Sequence, residues 1–320
     1  MKRRGRWLLL SFLVIYLVNF LIPRLMPGDP FSYTSSVSGD DLDTGYSAAQ
    51  IEQLQAYYRL DQPLALQLLN STMRALHGDL GESIHYKQPV TAVLAQRLPW
   101  SFGLMAVSLA LSLALGAALA LWAARRPAAD RVFYPFFSLL GEVPAFLVGV
   151  LLLFLVAAQV DWIPLSGGMT PFARYAGWGD WAWDRLVHAL LPVATMVLVQ
   201  TPAFFFTARA CFFSELEKPY LLAARAKGLG EGRIRIFYLL KNSAAALIAR
   251  FFLSVSTAVG ATLLVENVFA YPGIGRALRE AVAYRDFPLI QGIFLVSSVL
   301  VLFCLFAADR INAGMGGGQE

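Results

Sequence analysis

Tyr220-Leu221-Leu222-Ala223-Ala224-Arg225-Ala226-Lys227-Gly228 is a short, basic, amphipathic stretch in a polar connection between two strongly apolar segments, residues 186–208 and 244–265. A hydrocarbon core about 30 Å thick needs about 20 mostly apolar helical residues to cross it, and both flanking segments are that long. A soluble patch between two such segments reads as a docking element of a membrane protein rather than a catalytic one.

Composition agrees with that reading. The chain has 320 residues, 58% hydrophobic and only 15% charged, against about 25% charged in an average soluble domain. The apolar residues come in blocks. Six of them reach bilayer length: residues 7–25, 102–123, 132–160, 186–208, 244–265 and 288–308. One such block could be a buried core helix of a soluble protein, but six in one chain predict an all-α membrane protein with six transmembrane helices.

Lys and Arg set the orientation, because positively charged flanks are retained on the cytoplasmic side. With the N-terminus inside and six alternating spans, the inside segments hold 15 basic and 6 acidic residues, and the outside segments, counting Arg24 at the outer end of the first block, 10 and 14. Both termini are therefore expected in the cytoplasm, with the basic side facing anionic lipid rather than nucleic acid. Lys2-Arg3-Arg4-Gly5-Arg6 before an apolar run could open a signal peptide, but no small-x-small cleavage site follows, so an uncleaved first helix is expected. Cys211 and Cys304 have no partner or metal-ligand spacing and read as packing residues. His77, His85 and His188 are scattered, so no metal site is expected.

The longest connection, residues 27–101, faces outward. Residues 33–46, rich in Ser, Thr, Gly and Asp, read as irregular. Helical spacing of apolar residues then predicts helices around Ile51–Tyr58, over residues 64–76, and a third short one over residues 90–98. The chain divides accordingly into a first helix (1–30), an outer segment (31–97), a core of five spans (98–310) with an inner connection at 209–242, and a tail (311–320).

Several fragments in order carry a resemblance. The pattern Ala223-Ala224-x-x-x-Gly228 resembles the cytoplasmic loop signature of ATP-binding-cassette importer permeases. Pro27-Gly28-Asp29-Pro30, Leu60-Asp61-Gln62-Pro63, Gly78-Asp79-Leu80-Gly81-Glu82-Ser83 and Arg97-Leu98-Pro99 look like the outer segment of their dipeptide/oligopeptide (and nickel) branch. Trp162-Ile163-Pro164-Leu165-Ser166-Gly167, His188-Ala189-Leu190-Leu191-Pro192, and Glu266 through Arg276 with Arg285-Asp286-Phe287-Pro288 continue the likeness. Three departures stand out. Leu222 occupies a position where Glu is frequent, Ala246 one where Pro is common, and the tail lacks the usual Asp-Pro-Arg ending.

The resemblance implies a type I importer permease of the bacterial inner membrane, forming half of a translocation pathway for peptides, with a nickel or metallophore importer as the alternative. It implies a second homologous permease, two ATP-binding-cassette ATPase subunits and an extracytoplasmic substrate-binding protein as partners. The chain has no Gly-x-x-x-x-Gly-Lys-Ser/Thr loop, so it is not expected to be an enzyme: no cofactor is expected on it, and ATP and Mg belong to the partner subunits. Tyr220, Ala223, Ala224, Arg225, Lys227 and Gly228 are the candidate ATPase-coupling residues. Small alanines permit close approach, and Gly228 suits a left-handed exit from the helix. A surface helix in lipid headgroups would look similar.

Asp79, Glu82, Pro272, Gly273, Arg276 and Asp286 are candidate contacts for the binding protein. Glu142, Gln200 and Arg250 are candidate intramembrane polar residues, Glu142 about 15 Å into the third span and Arg250 about 9 Å into the fifth. Glu142 could pair with Arg250, face the pathway, or reach water. The same three residues would serve an ion-coupled secondary transporter, but no inverted repeat is evident. A membrane-embedded hydrolase would need a nucleophile or metal motif, and none is present.

Overall fold

The computed structural model describes residues 2–25, 31, 33–35, 41–43, 47–58 and 60–316. Pro27-Gly28-Asp29-Pro30 lies outside them. The chain divides into two compact units, residues 1–100 with 272–302, and residues 101–271 with 303–320.

In the first unit, α1 (Lys2–Arg24) is followed by a small antiparallel pair, β1 (Tyr33–Ser35) and β2 (Asp41–Asp43). The pairing gives local order to a stretch that composition alone reads as irregular. Helix α2 (Ala48–Tyr57) opens on a capping box, in which Ser47 Oγ accepts from the Gln50 amide and Gln50 Oε1 accepts from the Ser47 amide. Helix α3 (Leu64–Leu76) follows Pro63, whose missing N–H costs nothing at a helix start.

The expected short helix over residues 90–98 does not stand alone. It is the first quarter of α4 (Val90–Ala123), which continues through Pro99 into the second expected span. Pro99 has no N–H to donate and removes one backbone bond there, yet the helix runs on through it. Val90, Val93 and Leu94 of α4 form a core with Ala277 and Ala281 of α11 (Ile274–Ala283) and Leu289, Ile290 and Ile293 of α12 (Phe287–Gly316). Helix α12 runs past residue 310, so the first half of the expected tail is helical.

The second unit contains α5 (Pro127–Gly141), α6 (Ala145–Leu155), α7 (Trp178–Leu216), α8 (Tyr220–Ala226), α9 (Glu231–Arg233) and α10 (Lys241–Val268). A π-helical stretch, Ile234–Leu240, joins α9 to α10. Its core sets Phe205, Ala208 and Phe212 of α7 against Ala120 and Ala123 of α4, Phe137 of α5 and Leu247 of α10. Gly116 lets α4 approach α7 closely, since a Cβ there would lie 2.8 Å from Phe204 Cβ and from the Phe205 amide nitrogen.

Among the described residues, four helices are individually long and apolar enough to cross a membrane: Val90–Ala123, Trp178–Leu216, Glu231–Val268 and Phe287–Gly314. The expected third span is not a single helix. It is broken between Gly141 and Ala145, and the two halves meet at 104°. Pro144 has no N–H for the ladder and disfavours helical geometry at Val143. Counted as one span, this pair makes five. The expected first span coincides with α1, whose described apolar part, Leu10–Arg24, is shorter.

Candidate functional site

Helix α8 is built from the quoted stretch. It rises from Pro219, spans Tyr220–Ala226 and leaves through Gly228 at φ +76°. That angle belongs to the left-handed region, and nothing lies within 4 Å of where a Cβ would stand. The demand on this position is therefore conformational rather than one of space.

One face of α8 is covered by its own chain. Leu221 and Ala224 are buried with Ile234, against Leu216, Leu229 and Tyr238. The opposite face carries Leu222 (67% exposed), Ala223, Arg225 and Lys227. Ala224 therefore packs beneath the helix, while Leu222, noted in the sequence only as a departure and not among the candidate coupling residues, stands on the open face. Arg225 forms an exposed ion pair with Glu231 at 2.8 Å.

A polar knot fastens α8 to its neighbours. Glu215, buried near the end of α7, accepts from Lys218 Nζ and Tyr220 Oη, and from Asn242 Nδ2 at 3.3 Å. Asn242 also donates to Tyr220 Oη at 2.6 Å. Burial and then the Glu215 bond push the Tyr220 hydroxyl above its ordinary pKa, so it remains a donor. Nearby, Arg209 of α7 grips Asp130 of α5 with two bonds of 2.6 Å. Spacing alone shows neither cluster in full, because Asn242 lies 27 residues from Glu215 and Arg209 lies 79 from Asp130.

The intramembrane candidates do not converge. Glu142 is exposed at the break between α5 and α6. Arg250 is half-buried on α10, and its Nε has no hydrogen-bond partner among the described residues. No ion pair joins the two among the described residues. Gln200 is buried on α7 and its side chain makes no hydrogen bond among the described residues. Glu266, fully buried on α10, accepts from Ser101 Oγ at 2.5 Å.

The remaining candidates lie in the first unit. Asp286 is fully buried and accepts from Ser83 Oγ, from the His85 amide at 3.0 Å and from the Leu289 amide at 3.1 Å. Those bonds make it an internal anchor between residues 83–85 and the start of α12, with no surface for a partner. Gly273 is buried, and the Pro272 carbonyl accepts from Arg97 at 3.5 Å. Arg276 is exposed and pairs with Glu280 at 2.9 Å. Asp79 is exposed, held by Arg74 and the Gly81 amide at 2.8 Å each, and Glu82 accepts from Tyr57 Oη at 2.8 Å. The Arg74 bond comes first among the influences that hold the Asp79 carboxyl below its usual range.

Residues 112–315 match the family described as binding-protein-dependent transport system inner membrane component. The dipeptide transport system permease protein DppB of Lactococcus lactis subsp. cremoris is 30% identical, over 98% of this chain and 96% of its own. The oligopeptide permease protein AppB of Bacillus subtilis is 29% identical over 93% and 92%. The glutathione permease protein GsiC of Pectobacterium atrosepticum is 29% identical over 95% and 93%. Among solved structures, an inward-facing MetNI methionine ABC transporter has a TM-score of 0.53 at 16% identity, covering 70% of this chain and 96% of that one.

Proposed function

Because the chain belongs to the binding-protein-dependent transport system inner membrane component family, we propose that it is one half of the translocation pathway of an ATP-driven peptide importer. Both termini face the cytoplasm, and α8 sits in the inner connection. Its exposed face, Leu222, Ala223, Arg225 and Lys227, docks on a separate ATPase subunit that holds ATP and Mg. A second homologous permease completes the pathway, a second ATPase docks beneath it, and a binding protein delivers cargo from outside. Peptide is the substrate class because permeases for dipeptides, oligopeptides and glutathione are similar along nearly the full chain.

The observation that carries this reading is the two-sidedness of α8. Its inner face is anchored to α7, the π-helical stretch and α10 through Leu221, Ala224 and the Glu215 knot, while its outer face is left open. A helix so anchored moves as one body with the ends of two long helices. Closure of an ATPase pair would therefore pull on α7 and α10 rather than on a loose loop. Uptake of a labelled dipeptide by vesicles holding the whole assembly, with and without ATP inside, tests it. ATP-dependent uptake is expected. Uptake driven by an ion gradient alone would replace this reading with a secondary transporter.

A further inference from the structure

A cavity of about 480 Å³ opens within the unit formed by residues 1–100 and 272–302, bounded by the end of α1, helices α2 and α3 and the start of α12. That size lies in the range of small-ligand sites. Its wall carries both signs of charge, Arg24 and Arg74 with Asp79 and Glu82.

Their hydrogen bonds leave capacity for a ligand. Arg74 donates from Nε to Asp79 at 2.8 Å and makes no other side-chain hydrogen bond among the described residues, so its two terminal nitrogens remain. Arg24 donates from Nε to Gln67 at 2.8 Å and from one terminal nitrogen to the Phe20 carbonyl at 2.9 Å, which leaves the other. Among the described residues Glu82 uses only Oε2, toward Tyr57. Gln291, also on the wall, makes no side-chain hydrogen bond among the described residues. The open groups therefore suit a ligand bearing an anion and a hydrogen-bonding cation close together.

Helix α3 shows where such a ligand comes from. Its polar residues Gln67, Asn70, Ser71 and Arg74 line the cavity. Its other face exposes Leu66 (44%), Leu69 (58%), Met73 (52%) and Leu76 (76%). These recur at helical spacing as one apolar stripe, the reverse of a helix with a water-facing outer side. Helix α1 likewise exposes Leu10, Leu13 and Leu17. We propose that the cavity binds the headgroup of an ethanolamine phospholipid, with phosphate on Arg24 and Arg74, ammonium at Glu82 and Asp79, and acyl chains along the apolar stripes of α1 and α3. The site is independent of the cargo and of ATPase docking.

Native mass spectrometry of the full chain with phosphatidylethanolamine, phosphatidylglycerol and phosphatidylcholine of matched chains tests the proposal. Phosphatidylglycerol lacks the ammonium, and the choline ammonium cannot donate a hydrogen bond. Retention of the ethanolamine lipid about tenfold above either is expected, falling about tenfold in Arg74→Gln and in Glu82→Gln, as loss of one charge-assisted bond predicts. Ala75→Phe fills the cavity without removing a charge and should give the same loss at an unchanged unfolding temperature. It also carries the test if the charge variants unfold. Equal retention of phosphatidylglycerol, or indifference to Ala75→Phe, overturns the proposal. So does displacement by glycerophosphoethanolamine or dialanine at concentrations equal to the lipid, which would mark a site for a free zwitterion.

Discussion

Asn242, at the start of α10, donates its side-chain amide to the hydroxyl of Tyr220, at the start of α8, across 2.6 Å and 22 residues of chain. The same hydroxyl donates to Glu215 at the end of α7. Three helix ends thus meet at one oxygen, and the proposed coupling depends on that junction staying intact.

Tyr220→Phe removes the shared hydroxyl and leaves the buried Glu215 carboxylate with fewer donors. A double-mutant cycle with Asn242→Ala should show a coupling of about 0.5–3 kcal/mol in thermal unfolding, as for groups in one network. Transport should fall severalfold in each single variant with membrane insertion unchanged. Two losses that add independently would mean the junction is not a unit.

Gly228 stands at φ +76° with open space around it. Gly228→Val should abolish transport while the chain still inserts, because a β-branched residue is a poor occupant of this region. Gly228→Asn should keep most activity, since Asn visits it at low cost. Equal activity of all three proteins, measured by dipeptide uptake, would separate the turn from coupling.

Gly116→Ala is expected to destabilise the second unit by about 1–3 kcal/mol, the usual cost of overpacking. Its new methyl would meet the backbone of α7 at 2.8 Å, which cannot swing aside as a flexible side chain can. A thermal unfolding curve identical to that of the parent protein would contradict the close approach of α4 and α7.

Glu280 ties α11 to Tyr86, whose hydroxyl donates to it, and pairs with Arg276 of the same helix. Burial opposes its ionisation, but the bonds from Tyr86 and Arg276 outweigh it and hold the carboxyl below 4.5. A lowered folded pKa gives stability that is full above the unfolded pKa and lost as pH falls through the folded one. Tyr86, pushed up to about 12 by burial and then by Glu280, stays protonated and adds no slope at neutral pH. Unfolding temperature should therefore be flat from about pH 6 to 8 and fall below about pH 4.5. Glu280→Gln should shrink that acid-side fall, and an unchanged fall would remove Glu280 from the account.

Glu142 and Arg250 make no ion pair among the described residues, so their effects should be independent. Glu142→Gln and Arg250→Gln should combine additively in transport to within about 0.3–0.5 kcal/mol. A double variant better than either single one would restore the pair.

The apolar blocks made the helical membrane fold legible, since a run such as residues 186–208 has few alternatives. The break at Pro144 was carried by one residue inside a block that hydropathy reads as continuous. Helix α8 and its glycine exit were readable as local patterns. Which face of α8 is covered was not, because Ala224 is buried by Ile234, Leu229 and Tyr238, and only the fold brings them beneath it. Asp286 stands in the sequence as a charge within a family-like pattern, but its buried anchoring depends on Ser83, 203 residues away. Long-range polar pairs such as Asp130 with Arg209 leave no periodic trace in one sequence.

The central claim is that the open face of α8 is a docking surface for an ATPase. A photoreactive side chain placed at Leu222, 67% exposed, and one placed at the buried Ala224 should be compared in the intact assembly isolated from its own membrane. The account predicts that position 222 cross-links to an ATPase subunit and that position 224 cross-links only within the chain. Cross-linking of position 222 to lipid alone, with the ATPases present and active, would contradict it.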